Sequence, residues 1–255
     1  MEDNLVNYKK FDNKKFISGV PFPHIVIDGL FDNNFLFKVE REYPKLNDLS
    51  WWEYSNHFEK KLAYNNVNKL PYNIQKFFRI ANSWNFVKNL EKLTDINFLI
   101  SDPSLNGGGL HMIEKGGKLD IHADFNYHKE TGWRRRLNMI TFLNKDWKES
   151  YGGHIEFWDK DMARCAMRTL PAFNRTVIFT VDDDTWHGHP DPLTCPDGVA
   201  RISLATYYYT HHNDDLEKTL YRSTNYKKRP DDPSDENIEK LRSERRKGRL
   251  EDLKT

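Results

Sequence analysis

Two residues apart, His122 and Asp124 stand in the run Ile121-His122-Ala123-Asp124, behind a Gly116-Gly117 turn. In a strand, side chains at i and i+2 share a face, so one imidazole and one carboxylate can reach a single ion from one rigid element. A second imidazole would complete a two-histidine, one-carboxylate set. That set suits Fe(II), because it leaves coordination positions open for a cosubstrate and O2, whereas a closed structural zinc site leaves none. The pair alone says little, since His-x-Asp recurs by chance. The second histidine can come from Asp184-Thr185-Trp186-His187-Gly188-His189-Pro190, which follows the apolar run 177–181 and offers both His187 and His189. Pro190 biases His189 towards an extended turn. Beyond it, Arg201-Ile202-Ser203 opens another strand. An arginine there can pair bidentately with a carboxylate, and Ser203, on the same face, can add a hydrogen bond.

Read in order, His-x-Asp, a distant His, and Arg-x-Ser fourteen residues after His187 resemble the 2-oxoglutarate and Fe(II)-dependent oxygenase superfamily, particularly its prolyl 4-hydroxylase-like branch. The resemblance spans about 110–210. It rests also on the Gly turn Lys115-Gly116-Gly117, on the strand 137–144 ending in Leu-Asn, on Gly152-Gly153-His154-Ile155-Glu156-Phe157, and on the Pro-led strand 171–181. It implies that His122, Asp124 and His187 hold Fe(II), with His187 preferred to His189, and that Arg201 and Ser203 anchor 2-oxoglutarate. It further implies a distorted double-stranded β-helix, or jelly-roll, and an activity that couples O2 and decarboxylation of 2-oxoglutarate to hydroxylation of an unactivated C–H bond, with ascorbate as an optional reductant. The sequence departs from that branch where tyrosines often flank the Gly turn (here Ile113 and Leu119), where Asn138 replaces a common Thr, and where Arg201 replaces Lys. The expected substrate is a prolyl residue in protein or peptide; the alternatives are a small metabolite or glycan precursor. A non-catalytic jelly-roll binding module and a zinc hydrolase on the same ligands are the competing classes.

Other polar residues near these motifs carry two readings each. Asn138 lies in an apolar strand with Leu137, Met139, Ile140 and Phe142, so an inward amide needs a partner, and the cosubstrate is one candidate. Arg134, Arg135 and Arg136 form a solvated face or pair with acidic residues, a substrate anion being the sharper alternative. The loop 125–133, with Asn126, Tyr127, His128 and Trp133, is a candidate substrate-facing lid. Trp158 and Trp186 read as core aromatics, and His111, His128, His154, His211 and His212 as surface or structural.

What positions these residues is a mainly β region. From about 98 to 212, short runs of β-branched and aromatic residues alternate with Gly, Pro, Asn and Asp, which predicts an antiparallel sandwich or barrel. Upstream, 21–30 reads as a strand, 31–43 as a helix capped by Asp32 or Asn33, and 72–80 and 83–93 as two more helices. The expected organisation is an oxygenase domain over 1–212, with helical support over 1–97 and the jelly-roll over 98–212, then a charged extension over 213–255. A length of 255 residues suits one such domain with a tail. A net charge of +1 gives no global field for nucleic acid or an anionic membrane. No signal peptide or membrane span is read. Cys165 and Cys195 have no paired spacing, and a cytoplasmic location follows as the expectation. Nothing in the sequence specifies an oligomeric state.

Overall fold

The run Arg-Ile-Ser-Leu-Ala-Thr-Tyr-Tyr-Tyr-Thr makes the longest strand, and the sheet is assembled around it. The computed structural model describes residues 3–211 and 222–251, so His212 and the start of the expected extension lie outside the described residues. In chain order the N-terminal part carries α1 (Asn13–Ile17), β1 (His24–Asp28), α2 (Asn33–Arg41), β2 (Trp52–Ser55), β3 (Glu59–Tyr64), α3 (Tyr72–Ala81) and α4 (Trp84–Thr94). Then come β4 (Ile100–Ser101), β5 (Gly109–Ile113), β6 (Lys118–Ala123), β7 (Arg134–Phe142), β8 (Ile155–Trp158), β9 (Cys165–Thr169), β10 (Arg175–Thr180), β11 (His187–His189) and β12 (Arg201–Thr210). The chain closes with β13 (Asn225–Tyr226) and α5 (Glu236–Glu251).

The strands form one curled antiparallel sheet in the order β1-β10-β7-β12-β5-β3-β6-β11-β8-β9, with β13 added to β6, β2 to β3 and β4 to β12. The fold is the expected jelly-roll with N-terminal helices, a half-barrel of double-stranded β-helix type. Period-two alternation divides each central strand between two environments. Leu204 and Tyr208 of β12, with Leu137 and Met139 of β7, face the helices and join the main core with Phe31, Phe77 and Phe86. Ala205 and Tyr207 belong to a second, inner cluster, and Phe142, Phe157 and Phe179 to a third.

The helices form where local signals ask for them. Asp32 accepts from the Phe35 N–H at 2.8 Å and starts α2, whose Phe35, Leu36 and Val39 are buried. Ser83 caps α4 in the same way, and Asp95 ends it in the left-handed region at φ 57°. The predicted strand over 21–30 is β1, paired to β10. The β2–β3 hairpin was not expected from the sequence: it extends the sheet over what was read as helical support, pairing β3 with both β5 and β6. Beyond the jelly-roll, β13 pairs with β6 and Arg242 of α5 lies over the Phe58 ring at 5.6 Å. Among the described residues no helix is long and apolar enough to cross a membrane, and both cysteines are free thiols.

Gly109 lets β5 pass between β3 and β12. Its φ is 88°, and a Cβ there would strike the Tyr64 carbonyl oxygen. Gly109→Ala is therefore expected to lower stability by about 2 kcal/mol or more, read from the urea unfolding midpoint. A midpoint equal to the parent's would mean that β5 can shift without cost.

Candidate metal centre

β6 and β11 lie side by side, with His187 directly opposite His122. That pairing, rather than sequence distance, brings the second imidazole to the first, and Asp124 follows the last residue of β6. One ligand atom from each of His122, Asp124 and His187 lies within 4.8 Å of the others, and all three residues are buried. His189 is not in this group.

The rings are oriented from behind. His122 Nδ1 lies 2.8 Å from the Asp120 carbonyl oxygen, and His187 Nδ1 lies 2.9 Å from that of Thr185. A carbonyl only accepts, so each Nδ1 carries a proton, which leaves Nε2 as the atom of each ring that can offer a lone pair to a metal. The two Nε2 atoms point at Asp124, 3.5 Å from Oδ1 for His122 and 3.3 Å from Oδ2 for His187. Burial pushes the His187 pKa down, and His122 adds to the effect, which keeps the ring neutral. Burial alone would raise Asp124, but the Arg135 guanidinium and His187 overcome it and hold the carboxyl well below its usual range. Two imidazoles and one carboxylate fit Fe(II), and their outer contacts are of the kind that fix ligands in place.

Asp124 is supported by one of the three consecutive arginines. Arg135 is 1% exposed. Its Nη2 lies 3.0 Å from Asp124 Oδ2, and its guanidinium lies 3.4 Å from the Tyr207 ring centroid and 4.4 Å from that of Phe125. Of the two readings given to this arginine, pairing with an acidic residue holds and the solvated face does not. The pairing of β7 with β12 slips where Leu137 faces Tyr208 but Arg135 faces Tyr209, so Arg136 is the extra residue and Arg135 turns inward. Asn138 is inward as expected, but its amide bridges the two charges. Nδ2 donates to Asp124 Oδ2 at 2.7 Å, and Oδ1 accepts from Arg135 Nε at 2.8 Å.

Arg201 and Ser203 are buried on β12. Arg201 donates from Nε to the Gly153 carbonyl at 2.8 Å and lies over the Phe142 ring at 4.8 Å. Gly153, at φ 72°, makes that approach possible, since a Cβ would come within 3.0 Å of Arg201 Cδ. Among the described residues no carboxylate pairs with this guanidinium, and burial pulls its pKa down with nothing to offset it. His189 is buried nearby, with neither ring nitrogen hydrogen-bonded. A buried cation and an unsatisfied imidazole fit a bound oxoacid dianion.

A cavity of about 690 Å³ opens beside His122 and Asp124. Phe125, Tyr127 and Lys129 of the expected lid line it, although the loop is closed on itself by the Tyr127–Arg134 bridge and a 2.8 Å bond from His128 N–H to the Trp133 carbonyl. Trp158 and Trp186 are core, as read. The sequence reading missed two walls. One is the hairpin, with Trp52, Tyr54, Glu59 and Lys61; the other is Ser223, Thr224 and Tyr226 from beyond the jelly-roll. The alternation Trp-Glu-Tyr-Ser and Glu-Lys-Lys-Leu-Ala-Tyr around Asn-His was the available signal for the hairpin. Tyr226 stacks on Phe58 at 4.8 Å and leans on His122 at 5.6 Å.

The profile of the 2OG-Fe(II) oxygenase superfamily matches residues 108–225, which include every residue of the metal group. No curated protein sequence matches the chain. Among solved structures, a Pseudomonas putida prolyl-4-hydroxylase superposes with a TM-score of 0.54 at 11% identity, over 74% of this chain and 93% of that one. A prolyl 4-hydroxylase from Phytophthora capsici gives 0.55 at 16% identity, over 86% and 72%. An oxidoreductase of the 2OG-Fe(II) oxygenase family from Burkholderia pseudomallei gives 0.51 at 8% identity, over 75% and 87%. These likenesses establish a fold like that of the prolyl 4-hydroxylases, and the match marks residues 108–225 as a 2OG-Fe(II) oxygenase region, the signature of a 2-oxoglutarate-dependent dioxygenase.

Proposed function

We propose that His122, Asp124 and His187 hold the Fe(II), that Arg201 with Ser203 anchors 2-oxoglutarate, and that the enzyme hydroxylates a prolyl residue of a peptide or protein. When bound, iron and the oxoacid supply the oxidising chemistry; the protein supplies ligand geometry, orientation and exclusion of competing oxidation. The observation that carries the substrate reading is the aromatic wall beside the metal group. Trp52 and Tyr54 project from the same face of β2, 67% and 40% exposed, and Tyr127, Tyr207 and Tyr226 continue the lining inward. Aromatic-lined grooves suit the preformed polyproline II conformation of Pro-containing segments. The prolyl 4-hydroxylases of like fold agree with this reading. Asn138 is assigned to Asp124 instead of the cosubstrate, because its amide already serves Asp124 and Arg135.

A second reading, hydroxylation of a polar metabolite, is favoured by Glu59, Lys61, Asn65 and Asn106 on the same cavity. Lys61 Nζ lies 3.1 Å from Glu59 Oε2, a charge pair that a sugar-like ligand could bridge. The two free thiols support the cytoplasm as the location.

The test is succinate formation by the Fe(II)-loaded enzyme with 2-oxoglutarate, O2 and a library of proline-containing peptides, against an extract of small metabolites. Peptide-stimulated succinate with a hydroxyproline product supports the first reading; stimulation by metabolites alone overturns it in favour of the second. In the same assay Arg201→Ala is expected to weaken 2-oxoglutarate binding about 100-fold, the order of a buried charge-assisted pair, while iron content stays at the parent level. Unchanged affinity would remove Arg201 from the cosubstrate site.

A further inference from the structure

His189 is the one imidazole of the barrel interior whose ring nitrogens are both buried and unsatisfied among the described residues. It is 4% exposed and stands on β11 two positions after His187, opposite Leu119 of β6. Native proteins rarely leave such a group without a partner, so its surroundings show what kind of partner is missing. The charged and titratable groups that act on it most strongly are Arg201 of β12, Lys61 of β3, His122 of β6 and His111 of β5, all basic. A partner that completes His189 is therefore anionic or a hydrogen-bond acceptor.

The neighbourhood of Arg201 points to the same partner. The ring under its guanidinium is Phe142, which has no donor, and the Gly153 contact is to a carbonyl. The positions flanking the Gly turn are Ile113 and Leu119, which also offer none, and the Asn138 amide is spent on Asp124 and Arg135. A carboxylate has about four lone-pair sites, more than one guanidinium edge and one hydroxyl use. His187 and His189 are two positions apart with Gly188 between them, about 6–7 Å along the chain, a span comparable with a five-carbon diacid.

Building on the function proposed above, we infer that His189 is a second anchor of the cosubstrate, donating a ring N–H to the distal carboxylate that Arg201 pairs. In either neutral tautomer the ring has one N–H to give. The consequence is selectivity: His189 favours an oxoacid with a second carboxylate over one that ends in a methyl group, and it does so without touching the metal.

The experiment uses full-length protein loaded with Mn(II) under anaerobic conditions and titrated calorimetrically with 2-oxoglutarate and with 2-oxobutyrate, which lacks the distal carboxylate. His189→Val is expected to weaken 2-oxoglutarate about tenfold or more, to leave 2-oxobutyrate and Mn(II) binding unchanged, and to be rescued to within about threefold by His189→Gln, which keeps a donor. Equal loss for both oxoacids, or no loss for either, overturns the inference. A parent protein that binds Mn(II) but neither oxoacid overturns the proposed cosubstrate site itself, a separate outcome. Should the Val variant fail to fold, imidazole 15N spectra of the zinc-loaded parent decide, with the His189 signal identified by its absence in His189→Gln. That signal moves with 2-oxoglutarate and not with 2-oxobutyrate if His189 is an anchor, and its indifference to 2-oxoglutarate refutes the assignment.

Discussion

Exchanging His187 for alanine is expected to strip the iron and abolish succinate formation. The ring is held by the Thr185 carbonyl at 2.9 Å and packed against Phe179, with ring centroids 4.7 Å apart, so it occupies one orientation before any metal arrives. Its Nε2 then lies 3.3 Å from Asp124 Oδ2, while that of His122 lies 3.5 Å from Oδ1. Residues that only support metal ligands are worth roughly 10–100-fold in metal affinity or activity; removing a ligand from a three-donor set should therefore exceed about 100-fold. The measurement is metal content after anaerobic reconstitution, with succinate release alongside. His189→Ala is the informative companion, because it should keep its iron. If His187→Ala retained full iron while His189→Ala lost it, the two histidines would have to exchange roles.

That pair of variants also marks where sequence alone runs out. His122 and Asp124 were legible because two residues on one strand share a face by a local rule, and the apolar runs on either side specify the strand. Asp32 and Ser83 were legible as helix starts for the same reason: a cap acts on an amide three residues away. His187 against His189 is not a local question. Both lie on β11 and both are buried; only the register that sets His187 opposite His122 separates them. Arg135 was hidden by its neighbours. Three consecutive arginines alternate faces in a regular strand, and the slip against β12 decides which of them enters the core. The substrate side of the cavity depends on the β2–β3 hairpin and on Ser223, Thr224 and Tyr226, more than a hundred residues apart in sequence, and no periodicity reports that they meet.

Arg135 yields the second large effect, because its guanidinium is the only counter-charge on Asp124 from the described arginines and lysines within ion-pair distance. Arg135→Met preserves much of the packing against Phe125 and Tyr207, since a thioether sits well against aromatic rings, but leaves the carboxylate buried without its guanidinium partner. Breaking one side of a buried ion pair costs about 3–5 kcal/mol, and that loss is expected in the urea unfolding free energy of the metal-free protein. With saturating Zn(II) as a redox-inert probe, the ion supplies the missing positive charge, so most of the difference between variant and parent should close. Metal affinity is thus expected to be kept or even raised, because a nearby cation has been removed. Turnover should fall, because Asn138 loses the Arg135 contact that helps aim it at Asp124. A ligand variant loses metal and turnover together; this variant should lose only the second. Equal destabilisation with and without Zn(II) would show that Arg135 acts by packing alone, and would leave the charge of Asp124 without the partner argued for it.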